Sequence, residues 1–487
     1  MSMNRPAITL DRLLAGIGVS APEIPIQGLA LDSRRLAPGD AFVAVAGQMT
    51  HGLSFADRAA AAGALAVLHD SADPPPAALP VPSVAIPQLA QHLPNLARRM
   101  WSDPGAALDL IAVTGTNGKT SIAWLLAQAL EGAMIGTLGC GRPGGLMPAT
   151  HTTPDIFSVY RLLDDFRRQG IQTVVMEASS HALAQGRLDG LVFSSVIFTT
   201  LGHDHLDYHA DRAAYGEAKA RLFFEHPSRR QLINLDDAFG QELARRLPDA
   251  DGLIGYSLSG HAEARVRGRT VATAPGGLKV ALELQDGSLQ ADTELVGQVN
   301  AWNVLVVAAE LEARGFSPAQ IGERLTRLRP VPGRMQPVRG PDGRLAIIDY
   351  AHTPDALESA LASVRQLAAN ELWCVFGCGG ERDRGKRAMM GRIAERAADR
   401  VILTDDNPRH EDGTAIVRDI QSGMQRPQRA LVIRDRARAI RHAIAACQPE
   451  DVVLIAGKGH ENEQIAGDAR LPFDDVCVAR EALEVAA

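Results

Sequence analysis

Residues 108–120 read Leu108-Asp109-Leu110-Ile111-Ala112-Val113-Thr114-Gly115-Thr116-Asn117-Gly118-Lys119-Thr120. The first half is an apolar run of buried-strand length. Residues 121–130 then place Ile122, Leu125, Leu126, Ala129 and Leu130 at helical spacing. A glycine-rich turn between strand and helix, closed by Lys-Thr, is the context a phosphate loop needs. Glycines let backbone N–H groups approach phosphate oxygens, and the helix N-terminus adds partial positive charge. Lys119 can reach the β/γ-phosphates, and the Thr120 hydroxyl can ligate Mg²⁺. The spacing Gly-x-x-Gly-Lys-Thr is two residues shorter than the general Walker pattern. Gly115, Thr116, Asn117, Gly118, Lys119 and Thr120 are thus the candidate nucleotide site.

Working outward, residues 104–333 hold further strands at 173–176 and 192–198, a helix at 301–313, and an alternating stretch at 263–296. The Gly-Gly and Asp-Gly turns of that stretch predict antiparallel hairpins. Residues 1–103 mix short strands (28–31, 41–46, 64–68, 83–86) with alanine-rich helices (54–63, 88–101). Residues 334–487 alternate strands at 345–348, 372–376, 400–404, 430–433 and 452–456 with helices, the pattern of a doubly wound parallel sheet. The prediction is an α/β protein of three domains. They are a small N-terminal domain (1–103), a central phosphate-loop domain with a parallel sheet and an antiparallel extension (104–333), and a Rossmann-like C-terminal domain (334–487).

Length and composition agree. The chain has 487 residues, and 46% of them belong to the apolar set, enough for several cores. Fifty basic against 57 acidic residues leave a net charge of −7, which argues against a nucleic-acid footprint. No apolar run reaches spanning length, and residues 1–19 read as mature sequence rather than a signal peptide. Five cysteines make no disulfide framework, and Cys374 and Cys378 read as packed thiols; a cytoplasmic protein is expected.

Glu177 closes the strand at 173–176, where a carboxylate at the carboxyl edge is a natural Mg²⁺ partner. Residues 202–209, Gly-His-Asp-His-Leu-Asp-Tyr-His, could read as zinc ligands. Beside phosphate, an oxygen-preferring Mg²⁺ site using one imidazole fits better. After the strand at 400–404 comes Asp406-Asn407-Pro408-Arg409, again at the ligand-binding edge of an open sheet.

Five motifs in order, GTNGKT at 115–120, MEASSH at 176–181, DHLDYH at 204–209, DYAHTPD at 349–355 and GKGHE at 457–461, resemble the Mur ligase family over nearly the whole chain. The resemblance implies an ATP-dependent amide ligase of peptidoglycan precursor synthesis. The first domain would hold the UDP end of the substrate, the second ATP, and the third the incoming amino acid. Leu31, Ser33, Gln48, Met49 and Thr50 match the family's uridine contacts. Thr152, Thr153, Ser179, Gln185 and Arg187 match positions that grip the muramoyl-peptide, and His151 stands where some relatives carry Asn. Asn300, Asn303, Arg334 and Asp349 match ATP-holding positions. Lys219 matches the lysine that the family carbamylates, a change that turns a cation into a carboxylate-like metal ligand. His205 matches the histidine of that metal site, whose ligands would be Thr120, Glu177, His205 and carbamylated Lys219.

The DNPR signature is similar to that of the family's meso-diaminopimelate-adding members, and Arg382, Gly457 and Glu461 match the same pocket. Diaminopimelate ends in an ammonium and a carboxylate, whereas lysine ends in an ammonium alone. A guanidinium at Arg409 would pair the extra carboxylate and repel a bare ammonium. The implied reaction joins meso-2,6-diaminopimelate to the D-glutamate of UDP-N-acetylmuramoyl-L-alanyl-D-glutamate through an acyl phosphate, with Mg²⁺ present and the enzyme a monomer. The alternatives are a lysine-adding or folylpolyglutamate-type ligase, which DNPR and the LDSR-bearing first domain argue against, and a nucleotide-switched binding protein without ligase chemistry.

Overall fold

The computed structural model describes residues 7–47, 50–75, 78–202, 204, 208–248 and 252–486. The chain divides into two compact units, Met1–Thr114 with Glu131–Val196 and Ala213–Arg229, and Gly115–Leu130 with Ile197–Arg212 and Arg230–Ala487.

In the first unit, strands Gly28–Ala30, Asp40–Ala44, Ala66–Asp70 and Ser83–Ile86 pair in sequence order and in parallel. Asp40–Ala44 is buried along its whole length, as a strand covered on both faces should be. Strand Thr173–Glu177 lies between Asp109–Thr114 and Ala133–Gly136, parallel to both. Ala133–Gly136 turns back as Gly139–Gly141. Every residue of Thr173–Glu177 is buried, so Glu177 delivers a carboxylate into the interior at the carboxyl end of the strand.

In the second unit, helix Lys119–Ala129 follows the phosphate loop and is buried at nine of its eleven positions, so its apolar residues run all round. The hairpins expected at 263–296 are strands Val266–Ala274, Gly277–Leu284 and Gly287–Thr293, antiparallel in succession. Helix Gln298–Ala313 begins earlier than the apolar spacing suggests. Gly297, at φ 81° and with the Met335 side chain against it, turns the chain there and brings Asn300 inside the first turn.

Six strands close the second unit, in the order Gln336–Arg339, Leu345–Asp349, Val452–Ala456, Leu372–Phe376, Arg400–Leu403, Leu431–Val432. All but the first are parallel to their neighbours. Side chains alternate between two cores. Cys374 and Phe376 join Leu345, Ile347, Leu403 and Leu454 on one face; Val375 joins Ala346, Ile348, Ile402 and Val453 on the other. Val452–Ala456, the last of the six in the sequence, is inserted between the second and third. Four loops leave the carboxyl ends of adjacent strands there, starting at Tyr350, Gly377, Thr404 and Gly457, where an open α/β sheet binds its ligand.

Candidate functional site

In the first unit a cavity of about 240 Å³ is lined by Leu29, Leu31, Arg35, Thr150, Asp155 and Arg161, among others. Ser33 is buried close to Leu31 in sequence. Arg35 Nη1 donates to Thr150 Oγ1 at 3.3 Å and lies 3.8 Å from Asp155. The expected peptide-gripping residues come together. Arg187 donates to the Thr153 carbonyl at 2.7 Å and holds Gln185 Oε1 with two N–H groups at 3.0 and 2.7 Å. Thr153 Oγ1 donates to the Glu177 carbonyl at 2.6 Å and accepts from Ser179 N at 3.1 Å. Thr152 Oγ1 is 3.0 Å from Thr137 Oγ1. His151, though exposed, is lowered from its ordinary value by partial desolvation first and then by the charges of Arg187 and Arg35. That concentration of cationic donors suits an anionic ligand.

Glu177 is fully buried; its Oε1 accepts from Thr137 N at 2.7 Å and its Oε2 from Thr137 Oγ1 at 3.3 Å. A Cβ at Gly136 would fall 2.3 Å from Oε1, so only glycine lets the carboxylate lie there. Lys219, on helix Arg212–Phe224, is 1% exposed, and its Nζ lies 4.2 Å above the Tyr215 ring. An oxygen-ligand cation fits the buried Glu177 carboxylate. A buried amine is likewise the kind of group whose charge is open to change. Thr50 is exposed; Gln48, Met49 and His205 lie outside the described residues, as do His203 and Asp207.

In the second unit the phosphate loop closes on itself. Lys119 Nζ donates to the carbonyls of Gly115 and Thr116 at 2.9 and 3.0 Å. Thr199 Oγ1 donates to the Asn117 carbonyl at 2.6 Å, and Gly202 N to Thr116 Oγ1 at 2.9 Å. A Cβ at Gly115 would collide with Thr199 Oγ1 at 1.8 Å. Gly118, at φ 87°, precedes helix Lys119–Ala129 and gives it no side-chain cap, which suits a helix end meant for an anion. Asn303 faces Gly118, and Asn303 Nδ2 donates to Asn300 Oδ1 at 2.8 Å, so the two asparagines act together. Asp355 and Thr116 flank Gly202, which brings the loop after Leu345–Asp349 to the phosphate loop.

At the end of that strand Asp349 accepts from Met335 N at 2.7 Å; burial raises its carboxyl, against the opposing pull of Arg334. The Arg334 guanidinium lies 4.3 Å over the Tyr350 ring. His460 lies tilted against Tyr350 with ring centroids 5.2 Å apart, and burial and Arg334 push its imidazole down to about 4.

At the neighbouring strand ends, Asp406 and Asn407 are buried and Arg409 is half-buried. Burial raises the Asp406 carboxyl, against Arg436 and Lys458. Gly457 closes on it, since a Cβ there would lie 2.5 Å from Asp406 Oδ2. Asn407 Nδ2 donates to Glu461 Oε2 at 2.9 Å. Arg409 takes φ 52°, uncommon for a residue with a Cβ, and Arg409 Nη1 donates to the Gly380 carbonyl at 2.7 Å. Arg382 is exposed on the same 377–382 loop. Asn407, Arg409, Gly457 and Glu461, far apart in sequence, therefore share one sheet edge.

Three family models match the chain: the Mur ligase family catalytic domain at residues 25–101, the Mur ligase middle domain at 113–311 and the Mur ligase glutamate ligase domain at 333–459. The chain belongs to the Mur ligase family. Among relatives, it is 49% identical to the UDP-N-acetylmuramoyl-L-alanyl-D-glutamate--2,6-diaminopimelate ligase of Alkalilimnicola ehrlichii, with 93% of this chain and 94% of that one covered. It is 48% identical to the ligase of the same name from Xanthomonas campestris pv. campestris, with 98% and 97% covered. A solved structure of a ligase of that name superposes with a TM-score of 0.70 at 36% identity, covering 98% of this chain and 99% of that one. The three-domain α/β architecture of Mur ligases is thus the architecture of this chain.

Sequence reasoning on this Mur ligase missed three groups at the edge of the third region: Tyr350 under Arg334, Lys458 between Asn407 and Glu461, and the buried Arg387. Lys458 and Tyr350 lie inside motifs already singled out, so their position was the available signal. Arg387 has none, because its partners Glu411 and Asp419 are 24 and 32 residues away.

Proposed function

We propose that this Mur ligase joins meso-2,6-diaminopimelate to the D-glutamate carboxyl of UDP-N-acetylmuramoyl-L-alanyl-D-glutamate at the expense of ATP, in the cytoplasm. We keep the division into a UDP-substrate domain (1–103), an ATP domain (104–333) and an amino-acid domain (334–487). The observation that carries the choice of amino acid is Arg409. Its guanidinium is anchored through one N–H group on the Gly380 carbonyl and borders Gly379 together with Arg382, and Asn407 is bonded to Glu461 at the same sheet edge. That arrangement offers cationic donors to a carboxylate and an acceptor to an ammonium, the two ends that distinguish diaminopimelate from lysine.

The D-glutamate carboxylate oxygen attacks the γ-phosphorus, the bond to the bridging oxygen breaks, and ADP leaves with its electron pair. The diaminopimelate amine attacks the acyl phosphate carbonyl, loses its proton, and phosphate departs from the tetrahedral intermediate. Lys119 and the loop N–H groups hold the γ-phosphate, and Asn300, Asn303, Arg334 and Asp349 hold adenine, ribose or phosphate. Thr152, Thr153, Ser179, Gln185 and Arg187 position the attacking carboxylate. Catalysis is chiefly positioning and charge neutralisation. Thr120, Glu177, His205 and carbamylated Lys219 would hold Mg²⁺, which would neutralise phosphate charge.

The test is phosphate release with each component omitted in turn. Release that needs ATP, the UDP-dipeptide and diaminopimelate together, and that lysine supports poorly, supports the reading. Release independent of the amino acid, or equal with lysine, overturns it.

A further inference from the structure

Lys458 stands between two glycines, both at positive φ. Gly457 has φ 116° and Gly459 φ 55°. A Cβ at Gly457 would meet Asp406 Oδ2 at 2.5 Å, and one at Gly459 would meet the Gly333 carbonyl and the Tyr350 Cβ, both at 2.7 Å. The segment is thus wedged between the Asp406–Asn407 turn and the loop carrying Tyr350. Between those walls the Lys458 side chain is 0% exposed. A buried ammonium is costly unless it is paired and hydrogen-bonded. Lys458 Nζ donates to Asn407 Oδ1 and to Glu461 Oε2, each at 3.0 Å.

The consequence falls on Asn407 and Glu461. Asn407 Oδ1 also accepts from Ile465 N at 3.0 Å, so two donors fix which end of the amide is oxygen and turn Nδ2 toward Glu461. Nδ2 donates to the same Glu461 Oε2 at 2.9 Å. Both anchors therefore hold one oxygen of the Glu461 carboxylate, and Glu461 Oε1 makes no hydrogen bond among the described residues. The acceptor is locked in place, with one oxygen left to offer.

We propose that Lys458 is a positioning residue for amino-acid recognition: it fixes the Glu461 carboxylate and the Asn407 amide so that Glu461 Oε1 meets the ammonium of the incoming amino acid. This rests on the proposed function, which places Asn407 and Glu461 in the amino-acid pocket. Without the Lys458 ammonium, Glu461 loses a charge-assisted anchor and Asn407 loses one of the donors that set its orientation. The effect lands on amino-acid binding and leaves the nucleotide largely alone.

The experiment is steady-state kinetics of Lys458→Met, Glu461→Ala and the double variant, with all three substrates varied. Lys458→Met should raise the KM for diaminopimelate on the order of 10- to 100-fold, with the KM for ATP within about threefold. In the Glu461→Ala background the same substitution should add little, because its action runs through Glu461. Lys458→Gln, which keeps an N–H donor of shorter reach, should fall between Met and wild type, and it decides the matter if the Met variant does not fold. A diaminopimelate KM within twofold of wild type in the folded variant overturns the proposal. So does an equal rise for all three substrates, or full additivity with Glu461→Ala. If Glu461→Ala itself leaves the diaminopimelate KM unchanged, the pocket assignment fails; if Glu461→Ala raises it and the Lys458 variants do not, only the role of Lys458 fails.

Discussion

Arg387 grips Glu411 with two parallel bonds, Nη1 to Oε2 and Nη2 to Oε1, both 3.0 Å, from a guanidinium that is 0% exposed. The same guanidinium donates to the Gly379 carbonyl at 3.2 Å and to Asp419 Oδ2 at 2.9 Å, while Glu411 accepts from Glu381 N. One buried cation thus ties the 377–382 loop, with Arg382, to the segment that carries Arg409.

Arg387→Ala removes that tie and leaves Glu411 without its guanidinium partner, while Asp419 keeps Arg384. Both carboxylates are partly exposed, so water takes over some of the lost pairing and the cost falls below the ~3–5 kcal/mol of a wholly buried pair. The expected outcome is a markedly lower melting temperature, and an unchanged melt would show the pair to be energetically idle.

Glu411 gives a pH signature. Hydrogen bonds from Arg387 pull its carboxyl from 4.5 down to about 2. A lowered carboxyl stabilises the fold above its unfolded value, so the contribution is complete above pH about 4.5 and fades as the pH falls toward about 2. Glu411→Gln should lose stability at neutral pH and flatten the acid limb of an unfolding-against-pH profile. An acid limb as steep as that of wild type would contradict it.

Lys119→Ala should abolish phosphate release and leave stability within about 0.5 kcal/mol of wild type, the range of most surface changes. The Lys119 ammonium bonds to loop carbonyls and fills no core. Near-normal turnover would remove the nucleotide assignment.

Lys219→Ala should lose most activity and recover part of it with added short carboxylates, which can stand where the proposed carbamate would stand. Lys219 is almost wholly buried, so the vacated volume is enclosed. An inactive, folded variant that no carboxylic acid rescues would count against the carbamate.

Much of this was legible in the sequence. The phosphate loop, the hairpins after residue 263 and the strand-helix alternation after residue 334 follow from local chemistry: glycine turns, period-2 alternation and apolar runs. The edge strand Leu431–Val432 is shorter than its sequence suggests, and both residues are exposed, because an edge has a neighbour on one side only. The strands Ala133–Gly136 and Gly139–Gly141 went unread; four and three residues, three of them glycines, carry too little pattern. Long-range pairing was the least readable. Nothing around Lys458 announces that Asn407, 51 residues earlier, accepts its proton donor. The left-handed backbone of Arg409 was equally silent, since arginine is not a residue that favours it.

That backbone yields a separate prediction. A left-handed conformation costs an L-residue roughly 1–2 kcal/mol, and glycine escapes it. Arg409→Gly should therefore melt higher than Arg409→Ala, although both lack the guanidinium. Equal or reversed melting temperatures would mean that the turn relaxes when the side chain is cut.

The most direct measurement of the central claim is the ratio of kcat/KM for diaminopimelate over lysine, in wild type and in Arg409→Ala. Removing one partner of a desolvated charge pair costs roughly 2–5 kcal/mol. The ratio should therefore fall by on the order of 30- to 4,000-fold. Lysine, with no distal carboxylate to leave unpaired, should hold its rate or gain slightly. If both amino acids fall by the same factor, Arg409 is only a turn residue and the assignment of diaminopimelate is contradicted.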